Sequence, residues 1–310
     1  MGIDGCLGFL PLITIKTDSD NNPCLTNPDV LVSLVIPVYK RADWLSKNLE
    51  ALVAQNYGEK FEVIVVDDGS PNGEEIRRVI DGIAANSELH LLFLQKENGG
   101  PAAARNFGVT KSRGELICFL DDDSIPDPNW LTKIVEPFND HPNVGLVSGQ
   151  TKSYYQDERL PLLLERVIYS GKCWATCNIA YKREAFEQVG GFDESFPEPS
   201  WEDNDLGLRV RWAGFSHGYA EDAVVLHPHE RSLEEYRQKC LLNGRGMAVF
   251  CKKHWRKRPL WGVGGALFML RRLVWILHPS VWLGQVESHA FLRFNWSWYS
   301  LKGFCKVFFA

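Results

Sequence analysis

No Gly-x-Gly-x-x-Gly follows a strand pattern in this chain of 310 residues, and no Gly-x4-Gly-Lys-Ser/Thr occurs anywhere in it. The first absence argues against a dinucleotide oxidoreductase and the second against a P-loop NTPase. The eight cysteines (Cys6, Cys24, Cys118, Cys173, Cys177, Cys240, Cys251 and Cys305) are scattered. Cys173 and Cys177 stand too far apart for a C-x-x-C redox pair or zinc knuckle, so the thiols are expected to be reduced and the protein cytoplasmic. The stretch from Met1 to Ile15 has an apolar patch but neither a basic n-region nor a small-residue cleavage site, which argues against a signal peptide. Met1-Gly2 with Cys6 lacks the Ser or Thr of an acylation signal. Near the C-terminus, Arg271-Arg272 divide the apolar sequence into pieces shorter than the ~20 residues that a spanning helix needs.

What is present is a chain with 45% hydrophobic and 24% charged residues, enough for one large α/β domain with an appendage. The net charge of −5 is unevenly placed. From Cys251 onward ten Lys or Arg face one acid, Glu287, a surplus of nine that leaves −14 on the remainder. An acidic body argues against nucleic acid as a partner, whereas a basic, Trp-rich tail points to a membrane surface.

From Leu31 the pattern alternates regularly. Strands are expected at Leu31–Ile36, Phe61–Val66, Leu89–Leu94, Leu116–Leu120 and Val144–Ser148, with helices at Asp43–Gln55, Glu74–Ala85, Pro101–Thr110 and Asn129–Phe138. Such alternation implies βαβ units, right-handed crossovers and a mostly parallel sheet flanked by helices. Thr151 to Ser170 breaks the rhythm and is placed as a cover over the site. A strand at Trp174–Tyr181, a short helix from Lys182, a helix at Leu206–Ala213, a strand at Ala223–Leu226 and a helix at Glu234–Lys253 follow. The expected organisation is an irregular leader over residues 1–30, an α/β domain over 31–250 and a basic helical tail over 251–310.

Glu115 to Asp127 reads as a buried strand that ends abruptly in Asp121-Asp122-Asp123. Adjacent carboxylates repel one another unless a cation shares them, and a hard divalent ion such as Mg²⁺ or Mn²⁺ suits that place better than Zn²⁺. Such an ion completes its shell with substrate phosphates, so a nucleotide carrying a diphosphate is the expected ligand; an acidic turn capping the next helix is the plainer alternative. Ligands of an open α/β sheet sit outside the carboxyl ends of its strands. Two other ends are polar in the same way, Val38 to Arg41 and Asp67 to Ser70. Tyr39 suits stacking on a base, and a carboxylate of Asp67 or Asp68 suits an imide N–H, although an Asx turn explains the aspartates equally well.

Asn98-Gly99-Gly100-Pro101 opens a helix that places Arg105 one turn in, toward phosphates or paired with an acid. Ser200-Trp201-Glu202-Asp203-Asn204-Asp205 crowds polar groups at a helix mouth. Ser200 with an acid three residues on resembles a capping box, while a carboxylate there also suits a general base. Trp201 offers a stacking face for a sugar or a packing surface. His227, just past a strand end, is a candidate metal ligand.

Together these stretches resemble the family 2 glycosyltransferases, over about Leu31 to Phe250. SLVIPVYKRADWL is similar to the family's opening strand and base-binding loop, VIVVDDGS to its nucleotide aspartate motif, ENGGPAAARNFG to the segment whose arginine approaches the diphosphate, and FLDDDSIP to its DxD motif. GGFDESFPEPSWEDNDLGLR resembles the acceptor loop and ED motif. The resemblance implies a GT-A fold and an inverting transfer from a nucleotide sugar, most often a UDP-sugar, to a hydroxyl of a saccharide or lipid-linked acceptor. It implies Asp203 as catalytic base and Pro37, Tyr39, Arg41, Asp67, Asp68, Arg105, Asp121 and Asp122 around the donor. Trp201 and Glu202 fall to the acceptor, and Asp123, with His227, to Mn²⁺ or Mg²⁺. No Q-x-x-R-W motif of processive synthases is evident, so transfer of a single sugar is expected.

Basic residues beside Trp255, Trp261, Trp275 and Trp282 suit peripheral attachment to the inner face of a cell membrane, against the alternatives of a helical pair packed on the core or a dimer interface. Two other functions fit less well. A sugar nucleotidyltransferase needs a Gly-rich loop after the first strand, where Pro37 to Asp43 has no glycine. A silent nucleotide-sugar-binding scaffold at the membrane leaves the joint presence of Asp123, Arg105 and Asp203 unexplained.

Overall fold

The computed structural model describes residues 13–14, 32–154, 167–169, 173–196, 199–228, 232–255, 257, 267 and 289–308. Most of the leader, most of the expected cover segment, His229 and the tail from 258 to 288 apart from Leu267 lie outside the described residues.

Runs such as Leu34-Val35-Ile36 and Val63-Ile64-Val65-Val66 are apolar on both sides of the pleat, which makes a strand buried on both faces. They form β2 (Val32–Val38) and β3 (Phe61–Asp67), after a short β1 (Ile13–Thr14). With β4 (His90–Gln95) and β5 (Leu116–Phe119) they build four parallel strands in the order β4-β3-β2-β5. The intervening helices are α1 (Ala42–Val53), α2 (Gly73–Asn86) and α3 (Gly100–Lys111). Side chains alternate across the sheet. Leu34, Ile36, Val63 and Val65 pack with Leu45, Leu49, Ile76 and Ile80 of α1 and α2, and Val35, Ile64 and Val66 pack with Ala104 and Val109 of α3.

Beyond β5 the sheet departs from parallel order. β6 (Ile125–Pro126), α4 (Trp130–Asp140), β7 (Val144–Ser153), β8 (Val167–Tyr169), β9 (Ile179–Lys182), α5 (Arg183–Gln188), α6 (Glu202–Trp212) and β10 (Ser216–His227) follow in sequence. β9 runs antiparallel between β5 and β7, while β10 pairs parallel to β7 and antiparallel to β6. The expected parallel arrangement therefore holds for the half built from β2 to β5, and the other half is mixed. β10 is far longer than its apolar run Ala223–Leu226, because backbone pairing to β7 carries it through polar residues and past a bulge between Ala220 and Val224. Trp174 to Asn178 stays outside β9, since a turn closes with Asn178 N–H donating to Ala175 O at 3.1 Å.

Trp130, fully buried under the sheet, donates its indole N–H to Asn178 Oδ1 at 2.8 Å. Trp130→Ala is expected to cost about 3–5 kcal/mol of unfolding free energy, measurable by denaturant titration. Finally, α7 (Leu233–His254) runs through residue 250, and α8 (His289–Phe308) packs along it. Phe304 of α8 joins Met247, Phe250, Cys251 and the loop residue Phe196 in a third, separate apolar cluster. No helix among the described residues is long and apolar enough to cross a membrane.

Candidate active site

The acid turn after β5 is held from α1. Asn48, a buried polar residue within the apolar stripe of Leu45, Leu49 and Leu52, donates to Asp121 O at 3.2 Å and Ser124 O at 2.6 Å. Its place in that stripe was the available signal, and reading the sequence missed it. Asp122 and Asp123 are buried. Burial, with Asp123 and Asp121 alongside, pushes Asp122 up to about 7 against the pull of Arg41. Arg41, whose side chain is 53% exposed, ion-pairs Asp122 at 3.2 Å and also Asp123, so it lies across the acid turn as an accessible cation. Tyr39 is exposed at the mouth, with Lys40 Nζ 4.5 Å from its ring centroid, and Pro37 sits in β2 opposite Val66.

His227, at the end of β10, brings Nε2 to 3.1 Å from Asp123 Oδ1 and 3.7 Å from Asp121 Oδ2. Burial pulls its imidazole down, but contacts with Asp121 and Asp123 outweigh that and lift it to about 10. Burial works in the other direction on Asp121; His227 and Arg105 prevail and hold it below the ordinary carboxylate range. Cys177 Sγ lies within 4.8 Å of the Asp121 and His227 ligand atoms, a neighbour that the sequence did not announce. Among the described residues, Asp123 Oδ1 is buried with no polar partner beyond that His227 contact. Two carboxylates sharing one imidazole fit a divalent cation such as Mn²⁺, which would take the place of the imidazole's proton.

The β3 aspartates divide their work. Asp67 accepts from Ser70 N–H, three residues on, at 3.0 Å and from Gln95 Nε2 at 3.2 Å, so its carboxylate closes the turn after β3, one residue longer than an Asx turn. Asp68 accepts from Gly99 and Gly100 N–H at 2.9 and 2.7 Å and from Lys96 Nζ at 2.8 Å, pinning the start of α3 at the strand end. Gly69, at φ +74°, follows them and turns the chain toward α2. Arg105, one turn into α3, is buried and bridges Asp121 at 2.7 Å and Glu202 at 3.3 Å. Of the two readings of this arginine, pairing with acids is the one that the contacts match, and the pairing joins the acid turn to α6.

α6 begins at Glu202, four residues before the expected start. No side chain caps it, so the Ser200–Asp203 capping box does not form. Glu202 is buried with Oε2 unpartnered. Burial and the neighbouring Asp203 raise it to about 7 against Arg105. Asp203 Oδ1 accepts from Asn204 N–H at 2.6 Å and Nδ2 at 2.7 Å. Burial raises the Asp203 carboxyl above its ordinary value despite those bonds and Arg105. Trp201 is half-buried against Phe250, with ring centroids 5.1 Å apart, and donates its indole N–H to Asn243 at 2.7 Å, the packing alternative for this side chain.

A parallel nucleotide-side half-sheet joined to a mixed half, with acids at the shared strand ends, defines the GT-A class of transferase. The mannosyltransferase PcManGT from Pyrobaculum calidifontis, in complex with GDP-Man and Mn²⁺, superposes with a TM-score of 0.66 over 89% of this chain and 86% of its own, at 19% identity. TarS 1-349 of S. aureus in complex with UDP-GlcNAc gives 0.53 over 89% and 92%, at 16% identity. The family model for glycosyl transferase family 2 matches residues 33–191, and the chain belongs to that family. Glycosyltransferase AglE of Haloferax volcanii is 31% identical over 72% of this chain and 74% of its own. Validoxylamine A glucosyltransferase of Streptomyces hygroscopicus subsp. jinggangensis is 27% identical over 88% and 69%. Pre-mycofactocin glycosyltransferase of Mycobacterium tuberculosis is 31% identical over 83% of this chain and 54% of that protein.

Proposed function

We propose that this glycosyltransferase performs a single, inverting sugar transfer. Its donor is a nucleotide sugar, with a UDP-sugar favoured, and its acceptor is a hydroxyl of a saccharide or lipid-linked glycan in polysaccharide biosynthesis. The observation that carries the proposal is the bridge of Arg105 between Asp121 and Glu202, which ties the carboxylate read as donor-side to the one read as acceptor-side through a single buried guanidinium. The catalytic domain runs from residue 31 through α7, whose last turn packs Lys253 and His254 on α6, and the basic remainder of the extension to 310 serves peripheral contact with the inner face of a cell membrane.

The base and ribose lie over β2 and β3, near Tyr39, Pro37 and the Asp67-Asp68 turn. Arg41 leaves Asp122 and Asp123 for the diphosphate, exchanging carboxylate partners for phosphate oxygens of the same geometry. Asp123 and His227, with Asp121 beside them, are the residues that would hold Mn²⁺ or Mg²⁺, which when bound neutralises charge on the departing diphosphate. Asp203 removes the proton from the acceptor hydroxyl. The acceptor oxygen attacks the anomeric carbon, and the bond to the diphosphate breaks with its electron pair leaving on the nucleotide. Glu202 and Arg105 hold that carboxylate's surroundings, and Trp201 backs the acceptor loop.

A base acts only when ionised. Because burial raises Asp203, turnover is expected to climb with pH along a limb above the ordinary aspartate value of about 3.9 and to be lost as pH falls through it. The proposal is tested by nucleotide release from a panel of UDP-, dTDP- and GDP-sugars with saccharide and lipid-linked acceptors, with and without Mn²⁺ or Mg²⁺. Metal-dependent release from one donor supports it, and a folded protein that turns over none of them overturns it.

A further inference from the structure

The helix that carries Asp203 is gripped by α7, which supplies none of the site residues described above. Asp205, two residues on, points about 200° around the helix from Asp203. It is fully buried, and a buried carboxylate persists only with cations around it. Two cations and an imidazole reach it: Arg209 Nε of the same helix at 2.7 Å, and Lys253 Nζ and His254 Nε2 of the last turn of α7, each at 2.8 Å; burial, with Lys253 and Arg209 alongside, holds His254 below its ordinary value against the pull of Asp205. Lys253 also pairs with Asp193 and lies 5.7 Å from the ring centroid of Phe196, while Arg209 donates to Val189 O and Gly191 O. One carboxylate thus joins α6, α7 and the loop between α5 and α6.

A second grip lies just before the helix. Trp201 has φ +73°, a conformation that is costly for a bulky residue and persists only where surrounding contacts impose it. Those contacts are Phe250 and Asn243 of α7. The backbones there are so close that a Cβ on Gly246 would stand 2.3 Å from Ser200 O. Glu202 and Asp203 lie between the two grips.

We propose that Asp205, clamped by His254 and Lys253, is a positioning residue: it fixes the first turn of α6, and through it the direction of the Asp203 carboxylate. This rests on Asp203 as the base. Asp68, Asp121, Asp122, Asp123 and His227 sit on other elements and meet the first turn of α6 only through the Arg105–Glu202 pair among the described contacts, so loosening the clamp impairs proton removal far more than nucleotide binding.

The test compares Asp205→Asn, His254→Leu and His254→Gln with Asp203→Asn. It measures kcat and donor KM on the nucleotide sugar that the panel identifies, calorimetric affinity for UDP and GDP with Mn²⁺, and the thermal midpoint. His254→Leu is expected to lower kcat about tenfold or more, short of the roughly 10²-fold cost of a 1 Å misplacement, with KM and nucleotide affinity within about twofold of the unmodified protein. His254→Gln, whose amide can still donate to Asp205, recovers most of the loss. Unchanged kcat in folded His254→Leu and Asp205→Asn overturns the clamp, as does equal impairment of the Leu and Gln variants or a fall in nucleotide affinity parallel to kcat. If Asp203→Asn is inert while the clamp variants are fully active, only the clamp fails. If Asp203→Asn is fully active, the base assignment fails and the clamp with it.

Discussion

Asp203→Asn is expected to reduce turnover by about 10²–10⁴-fold, the range associated with loss of a positioned general base. The change is nearly isosteric. Asn204 N–H can still donate to the remaining carbonyl oxygen, and α6 draws its hold from Asp205 and Trp201, so the thermal midpoint is expected to remain within a few degrees. Removing a charge beside Glu202, whose carboxyl Asp203 helps to raise, also lets Glu202 ionise more readily. Nucleotide affinity should therefore survive while kcat collapses. Steady-state kinetics with calorimetry on the same preparation separates the two, and parallel loss of both would point to a disturbed fold instead.

The second large effect is expected at the acid turn. Asp123→Ala removes the buried Oδ1 that faces His227 at 3.1 Å, and should weaken Mn²⁺ binding at least about tenfold, the lower end of what loss of an outer-shell partner alone costs. Turnover should fall by at least about 10²-fold at fixed Mn²⁺, since charge on the leaving group is where electrostatic help acts. His227→Ala should reproduce the loss of Mn²⁺ affinity. Mn²⁺ titration followed by electron paramagnetic resonance reads binding without turnover. Unaltered affinity in both variants would remove these residues from the metal site.

Much of this was legible in the sequence because its physics is local. A strand buried on both faces announces itself as an unbroken apolar run, and an abrupt acid turn at its end announces a site; β2, β3, β4 and β5 and the Asp121-Asp122-Asp123 turn were placed within a residue or two. β10 was underestimated because its first half is held by backbone pairing to β7, which leaves no apolar pattern. A strand was expected at Trp174–Tyr181, overlapping β9, but its antiparallel direction could not be seen, since direction is decided by partners distant in the chain.

The same division runs through the site. That Arg105 lies near the acids was an open option in the sequence; that it bridges Asp121 to Glu202 is a contact between residues 97 apart. Trp201 read equally as a stacking face or as packing, and only its place against Asn243 and Phe250 separates the two. Asp205 looked like one more acid in a helix's first turn, where the dipole welcomes it. Its burial and its Lys253 and His254 partners from α7 come from tertiary packing alone.

The claim that organises the rest is direct displacement at the anomeric carbon by a hydroxyl that Asp203 deprotonates. The most direct measurement is the anomeric configuration of the first-formed product, read by proton NMR from the coupling of the transferred sugar's anomeric hydrogen. From an α-linked nucleotide sugar this account predicts a β-glycoside, with the signal absent in Asp203→Asn. An α-glycoside would require retention and would contradict it.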